Sequence, residues 1–257
     1  FYYNYKNLIN KYDDKLLTEE DLLSKKILLW ECNRNLERLD FNEHLTPINQ
    51  FWTLQLTMGQ LAAGMSSQPF NTYDDYTNWI KRIDDYIIWL TTAINRMSQG
   101  IESGYILPKT LILKVLPQLK AITNSNLEEN IFYSPVNLFP SNFTEAEKTI
   151  LKNEYENMIL NKIIPTYETL YDFMKDTYLP NGRDSSGISS LDSGLNYYDY
   201  SIRLYTTTNM TADEIHQLGL DEVRRLLSEM ESVKSKVGFK GNLKSFFDHV
   251  RQKDELI

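Results

Sequence analysis

Apolar residues recur at intervals of three and four along most of the chain, a spacing that predicts amphipathic helices. The clearest pattern follows Thr72, an N-cap residue with Asp75 three positions later, and ends at Gly100. A threonine and an acidic residue at this spacing form a capping box. The face predicted to be buried consists of Tyr76, Ile80, Ile83, Ile87, Leu90, Ile94 and Met97. The pattern predicts one helix of about seven turns.

Three further segments carry the same signals. Thr18, Thr144 and Thr211 each precede an acidic first turn and a run of apolar residues at helical spacing. We therefore expect helices over residues 22–39, 150–173 and 215–237, the second one bent near Pro165. In the first helix the residues predicted to be buried are Leu22, Ile27, Leu29, Trp30, Leu36 and Leu39.

One segment departs from the helical spacing. Apolar and aromatic residues at 198, 200, 202 and 204 alternate with polar residues at 199, 201 and 203, and three threonines follow. Strict alternation is typical of a strand. The predicted fold class is therefore mainly α, a bundle-like array of helices with one short β strand or hairpin near residues 197–205. The preceding residues 181–194, NGRDSSGISSLDSG, are predicted to form a flexible loop.

Composition excludes several classes of protein. The chain of 257 residues has 27 Lys and Arg against 35 Asp and Glu, a net charge of −8, and no basic cluster, so nucleic acid is not an expected partner. Its apolar runs fall far short of the roughly 20 residues that cross a bilayer. One cysteine and three histidines cannot build an intrachain disulfide or a closed Cys/His zinc site.

Catalytic motifs are absent from the sequence as well. No His-Glu-x-x-His pattern occurs, and Glu214 and His216 stand about 200° apart on a helix, so they cannot chelate one ion. Glu214 is better explained as a capping residue. Cys32 lies within a predicted helix, without the basic neighbours that activate a thiol. We therefore predict no catalytic residue and no metal ligand in this chain.

The aromatic and threonine-rich segment is the remaining candidate for binding. Its candidate residues are Tyr197, Tyr198, Arg203, Thr206, Thr207 and Thr208. An exposed strand could pair with the backbone of a peptide, and the guanidinium of Arg203 could bind a carboxylate through two hydrogen bonds. The alternative is a short sheet packed on helices, in which Arg203 neutralises a neighbouring acid.

The same segment resembles a known family. The stretches YYDYSIRLYTTTNMTADEIHQLGLDEVRRLLSEM and GFKGNLKSFFDHVR, together with residues 45–90 and 97–119, are similar to bacterial proteins of domain of unknown function 885, in the form seen in Bacteroidetes. That family is related to zinc metallopeptidases such as thermostable carboxypeptidases. Its His-Glu-x-x-x-Gly-His-His zinc motif lies well downstream of the segment that residues 246–251 resemble, so the resemblance assigns no zinc ligand here.

The resemblance implies that residues 1–257 are one helical unit, the N-terminal part of a larger peptidase-like protein. This part would form walls of a peptide-binding cleft and pack against the C-terminal half, which would hold the zinc. Family members are often exported or lipid-anchored, which implies a location in the bacterial envelope or outside the cell. The alternative is a non-catalytic helical lipoprotein of the envelope that binds glycans or peptides, with 17 tyrosines and four tryptophans as stacking surfaces.

Overall fold

The computed structural model describes residues 1–64 and 66–252, and its helices confirm the prediction of a mainly α protein. The α-helices are α1 (Tyr2–Ile9), α2 (Glu19–Arg38), α3 (Leu54–Ala62), α4 (Tyr73–Ser103), α5 (Lys109–Ile122), α6 (Glu145–Met158), α7 (Ile164–Asp172), α8 (Leu179–Asn181), α9 (Gly194–Thr206), α10 (Ala212–Lys236) and α11 (Leu243–Arg251). Short 3₁₀ turns occupy several of the connections, the longest at Ile131–Leu138.

The chain divides into two compact units, Phe1–Leu195 and Asn196–Ile257. The first contains α1 to α8 and a continuous hydrophobic core, and the second contains nearly all of α9 together with α10 and α11. The expectation that residues 1–257 form the N-terminal part of a longer protein stays a prediction.

The capping boxes form as the sequence predicts. The side chain of Thr72 accepts a hydrogen bond from the Asp75 backbone, and Asp75 accepts one from the Thr72 backbone. These bonds satisfy backbone donors that have no partner within the helix. The helix extends past the predicted end at Gly100 and stops at Gly104, whose φ of 74° is in the left-handed region that glycine adopts without strain.

The core of the first unit lies between α4, α5 and the helical run from α6 to α8. In α4 the fully buried positions are Tyr76, Trp79, Ile83, Tyr86, Leu90, Ala93, Met97 and Gly100. Ile80, Ile87 and Ile94 are only partly buried and pack against this core. The buried face of α4 is therefore rotated toward Trp79 and Tyr86 relative to the predicted face.

The run from Glu145 to Asn181 is helical throughout but contains two π-helical segments, Ile159–Ile163 and Phe173–Tyr178. Pro165 lies two residues after the end of the first segment, and Pro180 lies two residues after the end of the second. Proline has no N–H and its ring crowds the preceding turn, so the wider π turn lets the chain continue without that hydrogen bond. The predicted long helix is confirmed, with π turns beside its prolines.

The prediction of a buried stripe on α2 was wrong. Cys32 is the residue of α2 that is buried, whereas Ile27, Trp30 and Leu39 are 53%, 41% and 73% exposed. Among the helices of the first unit, α2 makes its most extensive contacts with α1, which has only eight residues. One short helix covers too little of the α2 surface to bury all of its apolar residues.

The predicted strand near residues 197–205 was also wrong, because this segment is the helix α9. Tyr197, Tyr200 and Leu204 are spaced three and four apart, so the segment fits a helical period as well as an alternating one. Within residues 1–64 and 66–252, β pairing is limited to an isolated parallel bridge between Pro108 and Arg183. None of the helices in this part of the chain has the length and apolarity needed to cross a membrane.

Candidate functional site

The candidate binding residues of the sequence lie on α9 and in the turn that follows it. As a helix, α9 satisfies its own backbone hydrogen bonds, and the hydroxyl of Ser201 donates to the carbonyl of Tyr197 at 2.8 Å. It therefore offers no edge to which a peptide backbone could add. The interpretation that a peptide pairs with a strand here was therefore wrong. Recognition through this segment would depend on its side chains.

Four tyrosines give α9 an aromatic surface. The rings of Tyr197 and Tyr200 stack with centroids 6.2 Å apart and an interplanar angle of 20°. Tyr200 is buried and Tyr197 is half-buried, while Tyr198 is 46% exposed. Tyr198 and Tyr205 are seven residues apart and so share one face of the helix. This exposed face is the part of α9 that could stack on a ligand.

Arg203 does not share that face. At about 100° per residue, Arg203 lies roughly 140° from Tyr198 and about 60° from Tyr200 around the helix axis. Its side chain is half-buried. The structure therefore groups Arg203 with the buried side of α9, and Tyr198 and Tyr205 with the exposed side.

The three threonines form a turn that is held by its own hydroxyl groups. The hydroxyl of Thr206 donates to the Ile202 carbonyl at 2.8 Å and accepts from the backbone N–H of Thr208 at 3.2 Å. The hydroxyl oxygens of Thr206 and Thr208 lie 2.9 Å apart. All three side chains are exposed, but these bonds give them a structural role between α9 and α10.

The backbone of this turn is strained at Thr207. Its φ is 56°, in the left-handed region that β-branched residues rarely adopt. Such a conformation costs on the order of 1–3 kcal/mol. It ends α9, where the Thr207 N–H still donates to the Arg203 carbonyl at 3.0 Å. Ser193, directly before α9, has the same φ of 56°, so both ends of this helix are set by left-handed residues other than glycine.

The capping role predicted for Glu214 is confirmed. Its carboxylate accepts from the backbone N–H of Thr211 at 2.7 Å and from the Thr211 hydroxyl at 2.9 Å. The pKa of Glu214 lies below its ordinary value, mainly because its carboxylate accepts the backbone hydrogen bond from Thr211. Within residues 1–64 and 66–252, no three His, Cys, Asp or Glu side chains lie close enough together to hold a metal ion.

The structure also identifies an organising residue that the sequence did not suggest. Arg183, in the predicted flexible loop, donates from Nε to the Ile106 carbonyl at 3.0 Å and from Nη1 to Ser190 Oγ at 2.7 Å. It also bonds the carbonyls of Ser185 and Gly187. The pKa of Arg183 lies below its ordinary value, mainly because the side chain is partly buried. The flexibility of residues 181–194 stays a prediction, but one guanidinium group connects this loop to the residues before α5.

An apolar groove lies in the second unit, between the end of α10 and α11. Its volume is about 680 Å³, and its walls include Val233, Val237, Phe239, Phe246 and Val250. The rings of Phe239 and Phe246 lie 5.4 Å apart. His249 also lines the groove, with its ring 5.2 Å from that of Phe239.

Comparison with known proteins gives the following relationships. No curated protein matches the chain at a significant level. The crystal structure of a putative lipoprotein from Colwellia psychrerythraea superposes with a TM-score of 0.72 and 20% sequence identity. The match covers 82% of this chain and 36% of that one, so it establishes a shared fold, and the chain spans about a third of the length of this structural neighbour. The family model for bacterial proteins of unknown function, DUF885, matches residues 4–257. By that match over almost its entire length, the chain belongs to the DUF885 family.

Proposed function

We propose that this chain is the N-terminal, non-catalytic portion of a longer peptidase-like protein. In this proposal the helices hold the remainder of the protein in place and supply one wall of a peptide-binding cleft. The main observation in support of the proposal concerns α10. This helix has a continuous apolar face, yet none of its 25 residues is buried.

The apolar face of α10 is made of side chains that a folded protein normally covers. We call it the α10 stripe and define it as Val223, Leu226, Met230, Val233 and Val237, which are 37–64% exposed. At about 100° per residue, these five side chains fall within roughly 80° of one another around the helix. Arg224 and Glu231 lie on the opposite side. A stripe of this kind on a surface helix marks an interaction site.

The groove between α10 and α11 extends this surface, because Val233 and Val237 belong to both. Together they offer an apolar area with few charged groups. The occupant we propose is a helical segment of the same polypeptide, located after residue 257. The structural neighbour supports this choice, because almost two thirds of its chain lies outside the match.

The metal chemistry of the proposal belongs to that remainder. A zinc ion bound there would activate a water molecule for attack on a peptide carbonyl. The described residues of this chain could not bind such an ion, because no three of their His, Cys, Asp or Glu side chains lie close together. No catalytic step is therefore assigned to His44, His216 or His249.

The substrate contacts that we propose lie on α9 and its following turn. The exposed ring of Tyr198 would stack on the substrate, and Tyr197, whose ring stacks on that of Tyr200, would extend the aromatic surface beside it. Arg203, on the other and more buried side of α9, would bind a carboxylate, from the substrate or from the cleft, for which its planar guanidinium is suited. Thr206, Thr207 and Thr208 would line the same wall through their exposed turn.

We also propose that the protein is located in the bacterial envelope.

The experiment uses the complete protein encoded by the gene. We expect it to hydrolyse peptides in a mixed peptide library, and to lose this activity when a chelator removes zinc and regain it when zinc is restored. Arg203→Lys should lower kcat/KM more than it changes the melting temperature, because it keeps the charge but loses the two-pronged hydrogen bonding.

A conservative change at an exposed arginine provides the matched control. Arg224→Lys, on α10, should leave both quantities unchanged. An encoded protein that ends near residue 257 would contradict the proposal. Saturable glycan binding by a complete protein without peptidase activity would instead support the envelope binding protein considered from the sequence.

A further inference from the structure

A second binding site is indicated by a pocket in the first unit, remote in sequence from the segment discussed above. The pocket has a volume of about 270 Å³ and lies between α3, α5 and α7. Gln55 and Gly59 of α3 form one side, Gln118, Leu119 and Ile122 of α5 form the other, and Tyr167 of α7 also contributes to its lining.

Gly59 leaves this space open. It is a buried position within a helix, yet a Cβ atom built on it would meet no other atom within 4 Å. By contrast, a Cβ at the buried Gly100 would lie 2.6 Å from the carbonyl oxygen of Tyr105. Close packing therefore explains the glycine at position 100, whereas at position 59 the missing side chain adds volume to the pocket.

The pocket wall contains two unpartnered hydrogen-bond acceptors. Gln55 is only 5% exposed, and its Nε2 donates to the Asn49 carbonyl at 2.7 Å. Gln118 donates in the same way to the Gln50 carbonyl at 3.0 Å. The Oε1 atoms of both side chains are buried and accept no hydrogen bond from any described residue. Buried acceptors without a donor are costly and uncommon in folded proteins.

The remaining wall restricts the chemistry of a ligand. The accessible lining is largely apolar and includes no charged side chain. A charged ligand would lose its hydration there without gaining a counter-charge. The hydroxyl of Tyr167 is paired with that of Tyr86 at 2.6 Å, and Gln60, which also lines the pocket, is exposed to solvent. The oxygens of Gln55 and Gln118 are therefore the buried acceptors that lack a donor at this pocket.

We propose that this pocket binds a small, neutral, mainly apolar molecule that carries an N–H donor, with Gln55 and Gln118 accepting the hydrogen bond. Because both Oε1 atoms are buried, binding requires a rotation of the carboxamide, which exchanges its Nε2 bond to the Asn49 or Gln50 carbonyl for the bond to the ligand. All of its lining residues belong to the first unit, whereas the proposed substrate contacts belong to the second.

Indole and benzofuran are the probes for this site. They have the same bicyclic shape, but only indole has an N–H donor. We expect calorimetric titration of the 257-residue chain to show saturable binding of indole, at least tenfold tighter than that of benzofuran. Gly59→Met should weaken indole binding at least tenfold by filling the pocket. Gly219→Met is the matched control, since Gly219 is an exposed helical glycine with open space around it, and it should leave binding unchanged.

A second measurement avoids dependence on the folding of the Gly59 variant. In the unsubstituted chain, indole should shift the methyl NMR signals of Leu119 and Ile122 and leave those of Val233 and Val250, in the other apolar groove, unchanged. The proposal would be overturned by a lack of saturable indole binding, by equal affinity for benzofuran, by unaltered binding to a folded Gly59→Met variant, or by shifts confined to the α10–α11 groove.

Discussion

The hydroxyl groups of Tyr86 and Tyr167 lie 2.6 Å apart and connect α4 to α7 inside the first unit. Both side chains are almost fully buried, at 3% and 1% exposure. Burial raises the pKa of each tyrosine, so both stay protonated and one donates a hydrogen bond to the other. This pair gives the core a polar contact that requires one particular alignment of the two helices.

The hydrogen bond between the two tyrosines predicts that substitutions at both positions have strongly non-additive effects on the free energy of unfolding. Tyr86→Phe or Tyr167→Phe alone leaves one buried hydroxyl without its partner and should lower the free energy of unfolding by about 1–3 kcal/mol. The double variant removes both hydroxyls, so it should cost clearly less than the sum of the single changes. Urea denaturation of the four proteins measures this coupling, and strictly additive costs would show that the hydrogen bond does not stabilise the fold.

Buried tyrosines predict a loss of stability at alkaline pH. Burial, as the main cause, raises the pKa of Tyr76, Tyr133 and Tyr178 to about 12. The ordinary value is about 10, so the folded state binds these protons more tightly than the unfolded state. Their contribution to stability is complete below about pH 10 and is lost as the pH rises toward about 12.

We therefore expect these tyrosines to leave the midpoint of urea denaturation unchanged from about pH 8 to 9. Above about pH 10 their ionisation should lower the midpoint steadily. The ultraviolet absorbance of tyrosinate should increase for these residues only as the protein unfolds. Ionisation of all 17 tyrosines before any loss of helical circular dichroism would contradict the assigned burial.

Two isoleucines on α4 provide a matched test of the core. Ile83 is fully buried, and Ile87, one turn later, is only partly buried. Ile83→Ala should leave a cavity and cost about 2–5 kcal/mol, whereas Ile87→Ala should cost less because solvent already reaches its side chain. Denaturation midpoints decide the order, and a larger cost at Ile87 than at Ile83 would contradict the burial of these two side chains in the structure.

The bonds of Arg183 predict a protease-sensitive variant. Arg183→Lys removes the planar group that bonds the carbonyl of Ile106 and the hydroxyl of Ser190 together. We expect faster cleavage within residues 184–194 during limited proteolysis, with little change in the melting temperature. Arg224, which is exposed on α10 and paired with Asp221, should not affect this cleavage, so Arg224→Lys is the control. Equal cleavage rates in the native protein and the Arg183 variant would show that other contacts order the loop.

Local signals in the sequence predicted most of the helices. Thr18, Thr72, Thr144 and Thr211 all cap helices as expected, because a cap and its first turn involve only a few adjacent residues. Alternation over 198–204 failed as a guide, because a segment this short fits both periods and its neighbours in space decide between them. The exposure of the α2 stripe likewise depends on which element packs against it.

The two sites differ in how far the sequence could predict them. Tyr197, Tyr198 and Arg203 were grouped as neighbours in the chain, and their division between two faces follows from α9 being a helix. Their role in binding stays a prediction. Gln55 and Gln118 gave no signal, since they are 63 residues apart and each resembles an ordinary surface glutamine. Only tertiary packing places both at one pocket.

The central claim is that the α10 stripe is a docking surface, and a lysine introduced there measures it most directly. Met230→Lys replaces a stripe residue, and Ser232→Lys places the same charge on the opposite side of α10. In the 257-residue chain we expect each change to alter the free energy of unfolding by less than about 0.5 kcal/mol, because both positions are exposed.

In the complete protein, Met230→Lys should instead cost more than about 2 kcal/mol, because it places an unpaired charge in a buried interface, and Ser232→Lys should still cost little. The measurement is the free energy of unfolding of both variants in both proteins. A large cost confined to Met230→Lys in the complete protein is the predicted result, and equally small costs in all four cases would contradict the claim.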